Sequence, residues 1–297
     1  MRRRVAGVLA GALLLTGGCS GGPGGPSDEA SAAPAGEPAV SADRARAVLE
    51  EWTKRFNKAV DSGAEADLRA ATTGPLRDFL VGRARVGGGL PRSERIALHN
   101  PVLYVPRQVD RPRWFAVAAV DDVGGAARQV LVVLEQAGPD EAWRAAHLMT
   151  FQGRPPELDF DPEGYAIPAE GGSLPTEHTE YLTTGERSTF TPDAFTRAAH
   201  QRARGSGTVF RPARHEVRAL RTDDGGTLAW YAIEQQRTFA AGDRALPADV
   251  RAQLSGSRLR ASRVTAVWTW LVIGYAPRQG GGHVLGESVH LSDVRPA

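Results

Sequence analysis

The stretch Val264-Thr-Ala-Val-Trp-Thr-Trp-Leu-Val-Ile-Gly-Tyr275 is apolar at both of its alternating sets of positions. One set is Ala266, Trp268, Trp270 and Val272, and the other includes Val267, Leu271, Ile273 and Tyr275. Successive side chains of a strand point to opposite faces, so both faces of this strand are apolar. The pattern predicts a central strand covered on both sides, by helices on one face and by the first half of the chain on the other.

The elements around this strand are short helices followed by long strands. We predict helices over Thr176–Thr183, Pro192–Arg204 (capped by Thr191) and Ala248–Leu254, and strands over Val209–Leu220, Thr227–Ala240, Ser262–Tyr275 and Val284–Val294. Gly280-Gly281-Gly282 then forms a hairpin connection between the last two strands, because glycine clusters between apolar runs mark turns.

The first half of the chain repeats this order of helices and then strands. A helix begins at Ser41, a good N-cap residue, and ends at Gly63. Its apolar residues recur at a spacing of three and four and form one stripe: Ala45, Val48, Leu49, Trp52, Phe56, Ala59 and Val60. Short helices over Asp67–Ala71 and Leu76–Leu80 follow, then strands over Ile96–Val105, Arg113–Val120, Arg128–Glu135 and Trp143–Thr150.

Together these elements indicate an α+β protein with two tandem domains, 41–152 and 173–297. Residues 153–172 are rich in proline, glycine and acidic residues and are predicted to connect the domains. Each domain is expected to pack short helices on a curved four-stranded antiparallel sheet.

The N-terminus has the features of an export signal. Arg2, Arg3 and Arg4 precede an apolar run, Val5–Leu15, and the small residues before Cys19 provide a cleavage site, so residues 1–18 are predicted to be the signal peptide. The run is too short for a transmembrane helix, which needs about 20 apolar residues. Residues 19–40 consist mostly of Gly, Pro, Ser and Ala, a composition that predicts a flexible tether.

Composition excludes several classes of protein. The chain has 297 residues, 36 basic and 34 acidic, and removal of the signal peptide changes the net charge from +2 to about −1. No basic cluster with interleaved aromatic residues remains, so no nucleic-acid partner is expected. Lys54 and Lys58 do not occur in a phosphate-binding loop or a Ser-x-x-Lys motif. No cofactor is predicted.

Six residues are candidates for a ligand pocket: Trp52, Trp143, His147, Trp230, Trp268 and Trp270. His147 alternates with Trp143 and Met149 along its strand, so it could face a cavity and act as a base or bind a ligand. The other interpretation is a partly buried structural histidine. Tryptophans that line a sheet form pockets in some proteins and simply fill the core in others. No catalytic residue is assigned.

One segment has the spacing of a metal-binding loop. Asp159, Asp161 and Glu163 occupy positions 1, 3 and 5, Gly164 position 6 and Glu170 position 12 of a calcium loop of the EF-hand type. Pro162 and Pro168 stiffen the segment, and its flanks do not look helical. It is therefore a weak calcium candidate, and the alternative is a solvated acidic connection.

Two resemblances extend this interpretation. Leu15-Thr16-Gly17-Gly18-Cys19 resembles the lipobox of bacterial lipoproteins, with Thr16 where leucine is preferred. This resemblance implies that Cys19 is lipidated and becomes the first mature residue. The helix at 41–60 and the strands from Ile96 to Thr150 resemble NTF2-like and cystatin-like folds. The whole chain looks like the uncharacterised lipoproteins of streptomycetes and related actinobacteria, which implies no catalytic motif.

The resulting hypothesis is a non-enzymatic lipoprotein anchored through Cys19 at the outer face of the cytoplasmic membrane. It would bind a small apolar ligand or a partner protein outside the membrane. The alternative function is an extracytoplasmic enzyme with an NTF2-like cavity, an isomerase or hydrolase that uses His147. If the lipobox is not used, the protein would be secreted, with cleavage after Ala33.

Overall fold

The computed structural model of the protein describes residues 36–123, 125, 127–151, 154–187, 189–240, 246–256 and 261–297. The predicted signal peptide, Cys19 and most of the predicted tether lie outside the described residues. All of the described residues belong to one compact unit. The division of that unit into two domains at 153–172 stays a prediction.

The described residues of the first half form three helices and six strands. They are β1 (Glu37–Pro38), α1 (Ala42–Ser62), α2 (Glu65–Ala71), α3 (Gly74–Gly87), β2 (Leu98–Tyr104), β3 (Arg107–Gln108), β4 (Arg113–Asp121), β5 (Arg128–Gln136) and β6 (Arg144–Thr150), with a 3-10 turn at Arg92–Glu94. Four of the strands form an antiparallel sheet in the order β2-β4-β5-β6. Two predicted helix ends are confirmed, because the Ser41 side chain caps α1 and Gly63 ends it in the left-handed conformation.

In the second half, three helices and five strands are found among the residues that the structure describes. They are α4 (Leu174–Thr184), α5 (Ala194–Ala203), β7 (Val209–Pro212), β8 (Arg218–Arg221), β9 (Thr227–Ala240), α6 (Ala248–Gly256), β10 (Arg263–Ala276) and β11 (His283–Pro296). The sheet has the order β11-β10-β9-β7, and β8 also pairs with β9. The protein is thus a mixed α+β structure with antiparallel sheets and short helices, as the sequence predicted.

Strand β10 lies between β9 and β11 and contributes to two separate cores. Leu271 and Ile273, together with Trp230 of β9, belong to the core that contains the first sheet and α1–α3. Trp270 and Val272 belong to a second core, with residues of α4 and α6. The prediction of a central strand covered on both faces is confirmed.

The segment 153–172 is bonded to both halves of the chain. Ala166 forms a bridge with Pro106, and Leu158 and Pro168 form bridges with Thr222 and Leu220. Backbone pairing of this kind satisfies peptide groups that a free connection would leave to water.

Three sequence predictions need correction. The predicted strand 209–220 is two strands, because Pro212 has no N–H for further pairing and the chain bends until Arg218. Helix α5 is capped by Asp193 rather than Thr191, since the Asp193 carboxylate accepts from the Thr196 N–H at 2.7 Å. Glu37 and Pro38 pair with Gln108 and Arg107, so residues 37–40 are not part of a tether.

Candidate functional site

The six residues predicted to line one pocket are divided between the two cores. Trp52, Trp143 and Trp230 belong to the core of the first sheet, and His147 lies on β6 of that sheet. Trp268 and Trp270 belong to the second core. The structure therefore brings together only these last two as neighbours in one cleft.

The tryptophans of the first core fill space between helices and sheet. The Trp52 Nε1–H donates to the Ala71 carbonyl at 2.9 Å, which joins α1 to the end of α2. The Trp143 ring lies 5.0 Å from that of Phe115, edge to face. Trp230 is fully buried, with no hydrogen-bond partner for its Nε1 among the described residues. These contacts are those of core residues.

His147 is also completely buried, and neither of its ring nitrogens has a partner among the described residues. Burial, reinforced by the positive charges of His215 and Arg218, lowers the pKa of His147 to about 3. Its ring is therefore neutral at physiological pH. His147 is absent from the linings of the cavities described below.

The second core opens to the surface in a cleft of about 260 Å³ between the sheet, helix α5 and Pro247, which precedes α6. We call it the aromatic cleft, because five aromatic rings line it. Its lining consists of Phe195, Ala199, Arg202, Ala203, Thr208, Phe210, Gln235, Arg237, Phe239, Pro247, Trp268, Trp270 and Val289.

The period of two along β10 places Trp268 and Trp270 side by side on this face of the sheet. Phe195 and Phe210 contact the Trp270 ring edge to face at 5.7 and 5.8 Å, and Phe239 contacts Trp268 at 6.4 Å. Phe195 is 43% exposed and lies at the rim of the cleft. The floor is thus buried while one aromatic ring faces solvent.

Hydrogen bonds fix the orientation of both indoles. The Trp270 Nε1–H donates to the Gln235 side-chain oxygen at 3.0 Å, and the Trp268 Nε1–H donates to the Asp249 carboxylate at 2.8 Å. Because these bonds already satisfy the indole nitrogens, the rings offer their apolar surface to the cleft without a conformational change. A pre-formed apolar cleft with a few polar groups is the usual form of a small-molecule site.

Two arginines are the only charged residues in the lining, among the residues that the structure describes. The Arg237 guanidinium lies 4.7 Å from the centre of the Phe239 ring, and that of Arg202 lies 6.0 Å from the Phe195 ring. No ion pair joins either arginine to a carboxylate of the described chain. The Arg237 Nε is buried and without a hydrogen-bond partner there.

A second cavity, of about 270 Å³, lies beside α3 where the two halves meet, and each arginine in its lining is already paired. Asp121 binds Arg128 at 2.6 Å, and Glu94 binds Arg83 at 2.6 Å. A more polar cleft of about 510 Å³ between α3 and the second sheet contains the pairs Arg211–Glu234 and His215–Asp78. The aromatic cleft differs from both because each arginine in its lining is unpaired within the described chain.

A buried polar group lies behind the aromatic cleft and was missed in the sequence. His178 Nδ1 and the Tyr231 hydroxyl are 3.0 Å apart, and the His178 ring lies edge to face with Trp270 at 6.1 Å. A position near the start of a short helix favours an exposed histidine, but His178 is fully buried. Its spacing of four residues from both Leu174 and Leu182, which are also buried, was the available signal.

Glu287 completes this buried group, because Tyr231 and Glu287 pair with Val272 from opposite sides across the sheet. Neither carboxylate oxygen of Glu287 has a partner among the described residues. Burial, and then the negative charge of Asp193, raises the pKa of Glu287 to about 8. Burial lowers the pKa of His178 to about 3, so both side chains are mainly uncharged near neutral pH.

The carboxylates of the calcium candidate are held by arginines. Asp159 pairs with Arg221 at 2.7 Å, and the buried Asp161 pairs with Arg107 at 2.8 Å. Asp161 also accepts from the backbone N–H groups of Glu163 and Tyr165, and these contacts keep its pKa low. Glu163 shares Arg107 with Asp161 at 3.4 Å, and Glu170 adds no contact to the group. Within the described ranges no group of three acidic, histidine or cysteine side chains is arranged to hold a metal.

Comparison with known proteins finds one matching family and two similar bacterial lipoproteins. A family defined as a domain of unknown function, DUF8094, matches residues 36–293. The chain belongs to this family. It is 31% identical over 233 residues to the uncharacterized lipoprotein SCO2278 of Streptomyces coelicolor, which covers 68% of this chain and 70% of the relative. It is 29% identical over 289 residues to the uncharacterized lipoprotein SCO6871 of the same organism, which covers 82% of this chain and 80% of the relative.

The two relatives confirm the resemblance to uncharacterised actinobacterial lipoproteins. No solved structure matches the chain. No helix of the described part of the chain has both the length and the apolar character needed to cross a membrane. The two relatives bear lipoprotein names and no enzyme name.

Proposed function

We propose that the protein is a lipid-anchored extracytoplasmic binding protein that takes a small, largely apolar ligand into the aromatic cleft. The observation that carries this proposal is the cleft itself, whose two indoles are fixed by Gln235 and Asp249 beside the exposed ring of Phe195. Aromatic rings held in place lose little entropy when they contact a ligand. At about 260 Å³, the cleft is large enough for a compact bicyclic molecule and too small for a folded partner.

Phe195 offers a direct test, because its ring is exposed and its loss should not unfold the chain. We expect Phe195→Ala to weaken binding of an uncharged aromatic probe, 2-naphthamide, about tenfold, as removal of one buried aromatic contact costs roughly 1.5 kcal/mol. Binding is measured by quenching of tryptophan fluorescence in the full chain in detergent.

The matched control is Phe160→Ala, since Phe160 is also 43% exposed but contacts Tyr104 rather than the cleft. It should bind the probe as the wild type does. Equal affinities for the two variants would mean that the probe does not occupy the aromatic cleft.

In this proposal, a lipid attached to Cys19 holds the protein on the membrane. The names of the relatives support a lipoprotein, and two or three acyl chains on Cys19 would anchor it durably at the outer face of the cytoplasmic membrane. Cys19→Ala should release the protein into the medium, as shown by immunoblotting of membrane and culture fractions. Full retention of the variant on membranes would contradict lipid anchoring at this residue.

The natural ligand can be identified directly from the native protein. The lipoprotein, extracted from membranes in mild detergent, is analysed by mass spectrometry for small molecules and for proteins. A small molecule that is present with wild type and depleted with Phe195→Ala supports the proposal. A protein that co-purifies equally with both would instead favour a scaffold role.

We also propose that each half of the chain keeps an NTF2-like or cystatin-like arrangement. In the first half, α1–α3 share one core with the four-stranded sheet, and in the second half α4 and α6 pack on the sheet that contains β10. An experimental structure compared half by half with NTF2-like proteins tests this arrangement.

A further inference from the structure

We infer that the ligand of the aromatic cleft is an organic anion, with an apolar ring system and a carboxylate or similar acidic group. This inference rests on the proposed binding function and adds the charge of the ligand. Its basis is the pair Arg202 and Arg237, the only charged residues in the described lining.

Within its described lining, the aromatic cleft contains no acidic side chain, and the Nε of one of its arginines is buried. Of the arginines that line the other two cavities, Arg83, Arg128 and Arg211 bind Glu94, Asp121 and Glu234 at 2.6 Å. Arg214 and Arg295 form no ion pair within the described chain, but both are exposed. Arg237 has no such partner in the described chain, although its Nε is buried. A buried donor without an acceptor is costly, and a bound acceptor would remove that cost.

The surroundings of the two arginines favour an anion over other acceptors. Both guanidinium groups lie over aromatic rings, Arg237 over Phe239 and Arg202 over Phe195, which leaves their N–H edges for a ligand. The planar guanidinium matches a carboxylate with two parallel hydrogen bonds. Asp249, whose carboxylate binds the Trp268 indole, also accepts from the Val250 N–H.

The experiment compares two probes that share one ring system, 2-naphthoate and its uncharged amide 2-naphthamide, with the full chain in detergent. We expect the wild type to bind the carboxylate about tenfold more tightly than the amide, because hydrogen bonds to charged groups are the stronger ones. The preference should shrink as salt is added, since Arg202 is exposed and its attraction is screened.

Substitution assigns the preference to the two arginines. Arg202→Gln and Arg237→Gln should each reduce the preference several-fold, with affinity for the amide nearly unchanged, and Arg237→Lys should retain part of it. Arg202 is exposed, so its variant remains informative even if Arg237→Gln fails to fold. Arg204→Gln is the matched control, because Arg204 is an exposed arginine two residues away that does not line the cleft.

The outcomes distinguish a failure of this inference from a failure of the proposed binding function. Equal binding of carboxylate and amide by the wild type would overturn the inference and leave the aromatic cleft as an apolar site. A preference that survives in both glutamine variants would also overturn it. Failure of both probes to bind the wild type would overturn the proposed function together with the inference.

Discussion

Gly82 lies where α3 packs tightly against β11, and its replacement by alanine should destabilise the protein. A Cβ atom at Gly82 of α3 would lie 2.5 Å from the Ser292 Cα and 2.7 Å from the Leu291 carbonyl oxygen, both of β11. These are backbone atoms of a paired strand, so they cannot move aside as a flexible side chain would. The helix or the strand must shift instead.

Two opposing effects set the magnitude. Forcing extra atoms into a packed interior costs about 1–3 kcal/mol. Alanine is also the better helix former and returns roughly 0.5–1 kcal/mol relative to glycine within a helix. We therefore expect Gly82→Ala to lower the free energy of unfolding by about 1–2 kcal/mol, which is roughly 2–8 °C in Tm for a chain of this size.

Gly87→Ala is the control, because Gly87 is in the same helix and a Cβ there would contact nothing within 4 Å. It should leave the free energy of unfolding unchanged or raise it by up to about 1 kcal/mol. Urea unfolding, followed by far-UV circular dichroism in one buffer, compares the three proteins. If Gly82→Ala is as stable as Gly87→Ala, the packing of α3 on β11 is looser than these distances imply.

Three further changes test the buried polar groups. Glu287 has a pKa of about 8 in the folded chain and 4.5 in the unfolded chain, so its contribution to stability is lost as the pH rises. From pH 6.5 to 8 the free energy of unfolding should fall by roughly 1–2 kcal/mol in the wild type but not in Glu287→Gln. Parallel pH curves for the two proteins would contradict this. His147→Leu removes an imidazole without partners in the described chain and should raise stability in urea by about 1 kcal/mol, whereas a loss of 2 kcal/mol or more would indicate a hydrogen bond to this ring. Asp161→Ala leaves Arg107 with the exposed Glu163 in place of its main partner and should lower the Tm. Millimolar Ca²⁺ should not raise the Tm of the wild type, and a calcium-dependent rise would instead support a metal-binding loop.

Local patterns predicted much of the secondary structure, since their causes lie within a few residues. Ser41 and Gly63 delimit α1 because capping is a local interaction. The apolar residues on both faces of β10 likewise indicated a central strand buried on both faces. The break after Pro212 was missed, although proline cannot donate to a sheet and the polar residues Arg214, His215 and Glu216 follow it.

The site was less predictable, because its residues meet only through the tertiary fold. Trp268 and Trp270 were identified from their spacing, but nothing local indicates that Trp230 faces the other core. Arg202 and Arg237 lie on α5 and β9, and only the folded chain shows that both line one cleft without a carboxylate partner among the described residues. In a sequence with 36 basic residues, two functional arginines carry no signal of their own.

The position of β10 between two interiors limits how the gene can be cut or recombined. A fragment that lacked residues 36–152 would keep the second sheet but turn the faces of Trp230, Leu271 and Ile273 toward water, and such exposed patches promote aggregation. A fragment that lacked the second sheet would lose the side chains that this sheet contributes to the core of the first sheet. Insertions and fusions are therefore better placed at exposed turns, such as Gly280 between β10 and β11, than at the acidic segment that looks like a linker.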